Sequence, residues 1–402
     1  MPRIELPISK SIANRLLILQ AIHGDELMPV SDSMPDDVQI LHLALTTLHN
    51  TTQSNTTLHL SNCGTAMRFL TAYAAQLENR VTILDGVERM HHRPIGQLVD
   101  ALREIGADIE YLGKEGFPPL RIKGCILDKH RIVTINNPQS TQFVSALLLI
   151  GVNVQTDSTS PYITLTRMLI EQYISCRSQG VDCERDVVEN NVVGVVDLDN
   201  LECDWSSAAF WYEYVALHGG EITLPGLSRD SLQGDKVVAD IFTHLGVHTI
   251  YTDEGITIKK DNEFLIQQHK QLNPTTLRGN QLHAAPGAKA NNPCRSRELI
   301  RAEVVDIVVD NTLSLDFANW PDLYPAIALA CERLGIELRA TGVESLPLKE
   351  SDRLRAVAEH RTDSDHRMAM ALLIAGYEVD DTACISKSYP QFLEHFRQLQ
   401  GM

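Results

Sequence analysis

Long apolar runs are missing from this sequence of 402 residues. The longest, ALLLIGV at 146–152, is far shorter than the ~20 residues of a membrane-spanning helix. The first residues, MPRIELPISKS, also lack the apolar core of a secretion signal. These absences predict a cytoplasmic protein that is not associated with a membrane.

Cysteine motifs of metal or redox sites are absent as well. The eight cysteines show no C-x-x-C pair and no zinc-finger spacing, which predicts reduced thiols rather than disulfides. They are Cys63, Cys125, Cys176, Cys183, Cys203, Cys294, Cys331 and Cys384. Histidine is frequent, with 15 residues, but no H-E-x-x-H or similar helical ligand pair occurs. We therefore expect neither a metal ion nor another cofactor.

Runs of positive charge are the third absence. Asp and Glu number 52 against 35 Lys and Arg, which gives a formal net charge of -17. Such a field repels nucleic acid and acidic lipid, and no local Lys or Arg run reverses it. The sequence therefore predicts no nucleic-acid partner, and any anionic ligand must be held by a local cluster of cations.

A repeated pattern of helix, glycine and strand is the clearest feature that is present. Residues 101–124 and 241–260 each predict an amphipathic helix, a glycine cap, a strand, a Glu-Gly turn and a second strand. Residues 213–227 and 328–348 repeat the first part of this pattern. The chain is thus predicted to be an α/β protein built from one unit used several times. Residues 261–311 break the pattern and predict an inserted loop with a helix.

Four predicted helices open on small polar residues, in the stretches SKSIANR, NCGTAMR, STQFV and DWSSAA. Small polar residues cap helices, and the free N–H groups beyond a cap attract anions together with the helix dipole. In SKSIANR, Ser11 and Arg15 lie one turn apart on the same predicted face. Capping alone explains any single start, whereas four of them favour an anion site.

Three short stretches concentrate cations, and like charges this close repel one another unless an anion lies between them. They are RMHHRPIG at 89–96, LKESDRL at 348–354 and DHRMAM at 365–370. In LKESDRL, Lys349 and Arg353 are predicted to lie one helical turn apart. In RMHHRPIG, Pro94 is predicted at the first helical position. An exposed charged helix is the alternative interpretation of LKESDRL.

Taken together, eight motifs resemble the 5-enolpyruvylshikimate-3-phosphate (EPSP) synthase family and occur in its order. They are LPISKSIANR, NCGTAMR, HRPIGQLVDAL, STQFVSALL, DWSSAA, PDLYPAIALA, LKESDRL and DHRMAMAL. The resemblance implies transfer of the enolpyruvyl group of phosphoenolpyruvate to the 5-hydroxyl of shikimate 3-phosphate, with release of phosphate. This reaction belongs to the route to chorismate and the aromatic amino acids and requires no metal.

The resemblance also implies roles for individual residues. Phosphoenolpyruvate would be bound by Lys10, Asn62, Gly64, Arg93, Arg353, Arg367 and Lys387. Shikimate 3-phosphate would be bound by Lys10, Ser11, Arg15, Ser140, Thr141, Gln142, Tyr162, Asp322 and Lys349. Catalysis would fall to Asp322, Glu350 and Lys10, with the two carboxylates serving as acid and base in an order that the sequence leaves open. Taken by itself, Asp322 is more typical of a helix N-cap.

The implied fold has two similar lobes built from βαβαββ-type units that close on the substrates, an inside-out α/β barrel in which the helices pack inside. Residues 9–202 are expected to form one lobe, and residues 1–8 with 203–402 the other. The resemblance further implies a monomer. The sequence departs from the family at Ile8, Cys63, Phe69 and Ser345, and in the short segment 354–364, where the family has the rest of a helix and two strands. One unit is therefore expected to be truncated.

Two alternatives remain open from the sequence. UDP-N-acetylglucosamine enolpyruvyl transferase shares the fold and one substrate, but its characteristic cysteine is absent from DGVERMHHRPIG. A non-catalytic anion-binding relative, disabled by the truncated unit, is the second. The ionic residues of the motifs are all retained, which favours the enzyme.

Overall fold

The computed structural model describes residues 2–51, 53–178, 201–261, 306–309 and 311–401. The sequence predicts a loop with a helix at 261–311. That prediction lies outside the described residues, apart from Asp261, the strand at 306–309 and Asn311.

In the first part of the chain, the described residues form six α-helices and six strands. The helices are α1 (Lys10–His23), α2 (Asp36–Asn50), α3 (Gly64–Ala75), α4 (Gly96–Glu104), α5 (Thr141–Leu149) and α6 (Pro161–Ser178). The strands are β1 (Asn55–His59), β2 (Val81–Asp85), β3 (Asp108–Tyr111), β4 (Leu120–Lys123), β5 (Ile132–Thr134) and β6 (Asn153–Gln155). One sheet has the order β1-β2-β4-β3, and β5 pairs with β6 in parallel.

The second part forms a comparable set of elements. Its helices are α7 (Trp205–His218), α8 (Val238–Thr243), α9 (Tyr324–Leu334), α10 (Arg353–Glu359), α11 (His366–Ile374) and α12 (Phe392–Gln400). Its strands are β7 (Glu221–Pro225), β8 (Val247–Thr252), β9 (Gly255–Lys260), β10 (Asp306–Val309), β11 (Thr312–Asp316) and β12 (Glu337–Thr341). The sheets have the orders β7-β9-β8 and β10-β11-β12.

The repeated unit predicted from the sequence is confirmed. Helix α4 leads through Gly106 into the antiparallel pair β3–β4, and α8 leads through Gly246 into β8–β9. Both glycines have positive φ values, 101° and 78°, which residues other than glycine adopt only at a cost in conformational free energy. The four predicted helix starts are also confirmed, since Ser9, Cys63, Ser140 and Asp204 cap α1, α3, α5 and α7.

Helices fill the interior, and the sheets lie outside them. Residues 12–21 of α1 are buried on every face, and α7 is buried nearly throughout, as expected of helices enclosed by other elements. Strands such as β4 instead alternate buried and exposed residues. Mixed α/β elements with central helices agree with the predicted fold class.

The buried apolar side chains form two separate cores. One runs from Ile12 to Tyr173, and the other joins Ile4 and Leu6 to residues from Trp205 onwards. The chain crosses between them twice, and the crossings pair where Ser9 N donates to Glu202 O at 2.8 Å. We therefore retain lobes of 9–202 and of 1–8 with 203–402 as a proposal, which this division of the core supports.

The connection between α10 and α11 is short. Residues 342–401, all described, contain no strand, and only residues 360–365 join the two helices. His360, Asp363 and Ser364 take positive φ values there, 52°, 47° and 57°. The tight turn brings the start of α10 next to the start of α11, where charged residues are concentrated.

One helix boundary differs from the sequence prediction. Helix α4 begins at Gly96 with Ile95 as its N-cap, so Pro94 precedes the helix instead of occupying its first position. Residues Glu88–His92 form a separate turn of 3-10 helix before it. The hydrogen bond from Ile95 N to Gly116 O fixes this later start.

Candidate functional site

A cleft opens between the two cores and is lined by residues from both parts of the chain. It contains fourteen of the sixteen residues predicted from the sequence: Lys10, Ser11, Arg15, Gly64, Arg93, Ser140, Thr141, Gln142, Tyr162, Asp322, Lys349, Glu350, Arg353 and Arg367. Asn62 and Lys387 lie directly behind it. The Lys387 ammonium donates to Asn62 O at 2.7 Å and is 3.2 Å from Glu350.

The first lobe presents the N-termini of α1, α3 and α5 to this cleft. Gly64, at the start of α3, permits a close approach of two guanidinium groups. A Cβ atom at this position would lie 2.5 Å from Arg93 Nη2 and 2.6 Å from Arg68 Nη1. A larger residue at this position would have to displace both arginine side chains from their present positions.

Asp322 is the centre of a group of cations in the second lobe. Its carboxylate is 2.8 Å from Arg353 Nη1, 3.0 Å from Arg367 Nη2 and 3.4 Å from Lys349 Nζ. Burial raises the pKa of Asp322, but Arg367, Lys349 and Arg353 outweigh it and hold the pKa well below the ordinary range. The N-cap interpretation is wrong, because the N-cap of α9 is Leu323 and Asp322 bonds the cations instead.

Glu350 is the second carboxylate at the bottom of the cleft. It contacts Arg353 Nη2 at 3.1 Å, Lys387 Nζ at 3.2 Å and Arg93 Nη1 at 3.7 Å. Burial again raises its pKa, and the charges of Lys387, Arg93 and Arg353 more than compensate, so the pKa of Glu350 lies well below its usual value. Both carboxylates are therefore ionised at neutral pH when the cleft holds no substrate.

Arg353 connects these two carboxylates to a third, Asp365. Its Nε atom donates to Asp365 at 2.8 Å, and its side chain is 1 % exposed. Asp365 also caps α11 by accepting from Arg367 N at 2.9 Å. Arg353 begins α10 and Lys349 precedes that helix, so the prediction that they share a helical face is wrong. Every donor group of Arg353 is already bonded within the protein.

Lys10 has a buried partner that the sequence did not reveal. Asp37, at the start of α2, is 3.0 Å from Lys10 Nζ and 3.9 Å from Lys387 Nζ. Burial raises the pKa of Asp37, but these two ammonium groups lower it overall. An acid in the first turn of a helix is so common that the motif PDDVQ gives no separate signal.

Two buried arginines form no ion pair with a carboxylate in the described residues. Arg15 donates to Thr166 at 2.7 Å, to Ser11 O at 2.8 Å and to Ser145 at 3.2 Å, and burial lowers its pKa to about 10. Arg68, which the sequence analysis did not select, donates to Gly64 O and Pro94 O. Burial and then Arg93 lower the pKa of Arg68 well below the usual range. Both guanidinium groups thus lack a counter-charge among the described residues.

Several buried polar atoms along the cleft have no hydrogen-bond partner in the part of the chain that the structure describes. His366 is 1 % exposed and both its ring nitrogens are unbonded. Burial, Lys10 and Arg367 lower its pKa well below the ordinary value, so the imidazole is neutral. The side chains of Asn14 and Ser160 are also unbonded. Buried polar groups are normally hydrogen-bonded, and a ligand in the cleft would supply these partners.

The cations of RMHHRPIG do not converge on one anion. Only Arg93 lines the cleft. Arg89 donates to Glu350 O at 2.9 Å and to Lys349 O at 2.8 Å, His91 contacts Asp85 at 2.8 Å, and His92 lies against Glu88. The prediction of an anion among all four residues is therefore wrong for three of them.

Two searches of the described residues gave negative results. No helix among them is both long and apolar enough to cross a membrane. No group of three or more His, Cys, Asp and Glu side chains in the same ranges could hold a metal ion.

Comparisons with known proteins agree on one family. The family model described as EPSP synthase (3-phosphoshikimate 1-carboxyvinyltransferase) matches residues 2–288 and 357–396. A 3-phosphoshikimate 1-carboxyvinyltransferase of Bacteroides fragilis (strain ATCC 25285) is 33% identical over 98% of this chain and 94% of the relative. One from Cellvibrio japonicus is 32% identical over 98% and 96%. EPSP synthase of Acinetobacter baumannii has a TM-score of 0.59 at 18% identity, covering 98% of this chain and 95% of that one, which shows the fold. The chain belongs to the EPSP synthase family.

Proposed function

We propose that this protein transfers the enolpyruvyl group of phosphoenolpyruvate to the 5-hydroxyl of shikimate 3-phosphate and releases phosphate, in the route to chorismate. One observation carries the proposal: the cleft contains seven Lys and Arg side chains against three carboxylates, in a chain with a net charge of -17. The two substrates together bring two phosphates and two carboxylates. A local excess of cations is what their joint binding requires.

We assign the acceptor, shikimate 3-phosphate, mainly to the first lobe. Its phosphate would lie near the N-terminus of α5, within reach of hydroxyl, amide and guanidinium donors. These donors are Ser11, Arg15, Ser140, Thr141 and Gln142, and the site is completed by Tyr162, Lys10, Lys349 and Asp322. Arg15 has no carboxylate partner among the described residues, which supports this assignment, since a phosphate would supply the missing counter-charge.

Phosphoenolpyruvate is assigned to the side of the cleft where the two lobes meet. Lys10, Gly64, Arg93 and Arg367 line it, and Asn62 and Lys387 support it from behind. Arg353 also faces this region, but its donors are bonded to Asp322, Glu350 and Asp365. A substrate anion would have to compete with these carboxylates for its donors.

That competition would change the protonation of the carboxylates when substrate binds. The cations that keep Asp322 and Glu350 ionised are also those assigned to the substrates. When substrate anions take up these positive charges, the pKa of both carboxylates rises towards the range useful for general acid–base catalysis. One would then remove the proton of the 5-hydroxyl, while the other protonates the methylene carbon of phosphoenolpyruvate. Loss of phosphate and of one methyl proton from the tetrahedral intermediate restores the double bond.

The test is phosphate release from phosphoenolpyruvate with shikimate 3-phosphate as the acceptor, and separately with UDP-N-acetylglucosamine. We expect turnover with the first acceptor alone. Turnover only with the nucleotide sugar would contradict the proposed acceptor, and binding without turnover of either would indicate a non-catalytic relative. We further propose that the protein acts as a cytoplasmic monomer. Light scattering after size-exclusion chromatography measures its oligomeric state.

A further inference from the structure

Residues 233–235 of the second lobe contact the first lobe beside the cleft. The Gln233 amide contacts both chain crossings: it accepts from Ser9 Oγ at 2.9 Å and from Trp205 N at 3.2 Å, and it donates to Cys203 O at 2.7 Å. Gln233 is 5 % exposed. Its neighbours in the sequence are therefore held at a fixed position relative to α1 and α7.

Gly234 lies against the first turn of α6. A Cβ atom on this residue would lie 2.3 Å from Pro161 Cβ and 2.8 Å from Pro161 Cγ, which is closer than real Cβ contacts allow. The backbone of the second lobe thus contacts the side chain of Pro161 directly. This approach places the next residue, Asp235, opposite Tyr162.

Asp235 is a buried carboxylate whose partners are hydroxyl groups. Its carboxylate accepts a hydrogen bond from Tyr162 Oη, which lies 2.9 Å from Oδ1 and 3.1 Å from Oδ2. It accepts another from Ser206 Oγ. It is 2 % exposed and forms no ion pair with Lys, Arg or His within the described residues. Burial of a carboxylate without a counter-charge is costly, so Asp235 depends on these hydrogen bonds.

The hydrogen bond to Asp235 determines what Tyr162 can offer to a ligand. A phenol has one O–H group to donate, and here Tyr162 donates it to Asp235 in a hydrogen bond. The side of Tyr162 Oη that faces the cleft then has only lone pairs. Such an oxygen accepts a hydrogen bond from a substrate hydroxyl but cannot donate one to a phosphate or carboxylate oxygen.

We propose that Asp235 is a positioning residue, which fixes the Tyr162 hydroxyl as the hydrogen-bond acceptor for a hydroxyl group of shikimate 3-phosphate. The inference rests on the proposed function, since it concerns the acceptor substrate of that reaction. Phosphoenolpyruvate has no hydroxyl group, and its binding is therefore independent of Asp235. The two substrates respond differently to a change at this residue.

The first test is a cycle of three variants: Asp235→Asn, Tyr162→Phe and the double variant. In Asp235→Asn the new amide can donate to Tyr162, which turns the phenol proton towards the cleft. We expect the Kd and KM for shikimate 3-phosphate to rise about three- to tenfold, the worth of one hydrogen bond, while the KM for phosphoenolpyruvate changes less than twofold. Since Asp235 acts through Tyr162, the double variant should bind no worse than Tyr162→Phe alone. Asp230→Asn, an exposed acid of the preceding loop, is the matched control and should resemble the wild type.

A pH series provides a readout that a merely structural role would not change. Burial and then the charge of Asp322 raise the pKa of Asp235 to about 6, while Ser206, Arg367 and Tyr162 act in the opposite direction. Below that pH the protonated carboxyl group of the wild type can donate to Tyr162, as the amide of Asp235→Asn does. The ratio of the Asp235→Asn Kd to the wild-type Kd should therefore approach one as the pH falls from 7.5 to 5.

Binding of shikimate 3-phosphate is measured by calorimetry without phosphoenolpyruvate, so that it does not depend on turnover. Unchanged binding in Asp235→Asn, equal losses for both substrates, or additive losses in the double variant would overturn the inference. Wild-type binding without turnover would overturn the proposed function instead. If Asp235→Asn does not fold, Asp235→Glu carries the same expectations, because its longer side chain displaces the carboxylate from Tyr162.

Discussion

Individual residues in the cleft differ in what their surroundings allow them to do, and Glu350 shows this most clearly. Its carboxylate contacts Arg93, Arg353 and Lys387, while the backbone carbonyl of the same residue accepts from Arg89. The cations around the carboxylate thus keep Glu350 charged, while the hydrogen bond from Arg89 holds its backbone in position. A substitution that removes the charge and keeps the shape tests proton transfer without moving the backbone.

We expect Glu350→Gln to lower kcat at least about 100-fold, the usual contribution of a general acid or base, and to change KM for either substrate only a few-fold. The reason is that glutamine retains the size of the side chain but cannot transfer the proton. Steady-state phosphate release measures both constants. Glu344→Gln, an exposed residue of the same loop, serves as the control. A near-normal kcat in Glu350→Gln would remove this residue from the proton transfer.

Whole elements followed the sequence patterns more closely than single charges did. The helix, glycine and strand pattern and the four capped helix starts depend on local preferences, which a sequence displays directly. The prediction that Lys349 and Arg353 share a helix failed because a tertiary contact decided otherwise: Arg353 begins α10 beside Asp365. Asp37 and Arg68 were missed for the same reason, since nothing local separates a buried ionic residue at a helix start from an ordinary exposed one.

Helix α7 contains a buried acidic residue, Glu213, that has no cation beside it in the described residues. Glu213 is fully buried, and neither carboxylate oxygen has a hydrogen-bond partner among the residues that the structure describes. Burial raises its pKa well above the ordinary value, so the folded protein keeps the group protonated. The unfolded chain binds that proton only below a pH of about 4.3. The contribution of Glu213 to stability is therefore fully present below this pH and decreases as the pH rises towards its raised folded-state pKa.

Replacing Glu213 by methionine, an apolar side chain of similar length, should stabilise the protein by about 1–3 kcal/mol at pH 8, because it removes a buried unsatisfied group. At pH 5 the gain should be smaller, since the wild-type carboxyl group is protonated with little penalty there. Urea denaturation at the two pH values measures the difference. The control is Glu394→Met on the exposed face of α12. A gain that did not grow with pH would contradict the assignment of a neutral Glu213.

At the scale of the whole molecule, the two lobes are joined by contacts that lie outside the substrate site. Arg89 extends from the first lobe to the backbone carbonyls of Lys349 and Glu350, at 2.8 and 2.9 Å. On the other side, Ser386 Oγ is 2.6 Å from Asp36, and Gln391 donates to Ser33 O at 2.8 Å. These bonds hold the lobes together around the cleft. Their loss is expected to affect both substrates, in contrast to a change in either binding site.

Arg89→Ala tests this view of closure, because Arg89 does not line the cleft but bonds the segment that carries Lys349 and Glu350. Losing two hydrogen bonds from a charged donor should lower kcat/KM about tenfold or more. The factor should be similar for the two substrates when each is varied at a saturating concentration of the other. His92→Ala, in the same turn of 3-10 helix but 63% exposed, should have little effect. A loss confined to phosphoenolpyruvate would instead place Arg89 in that substrate's site, since closure acts on both substrates together.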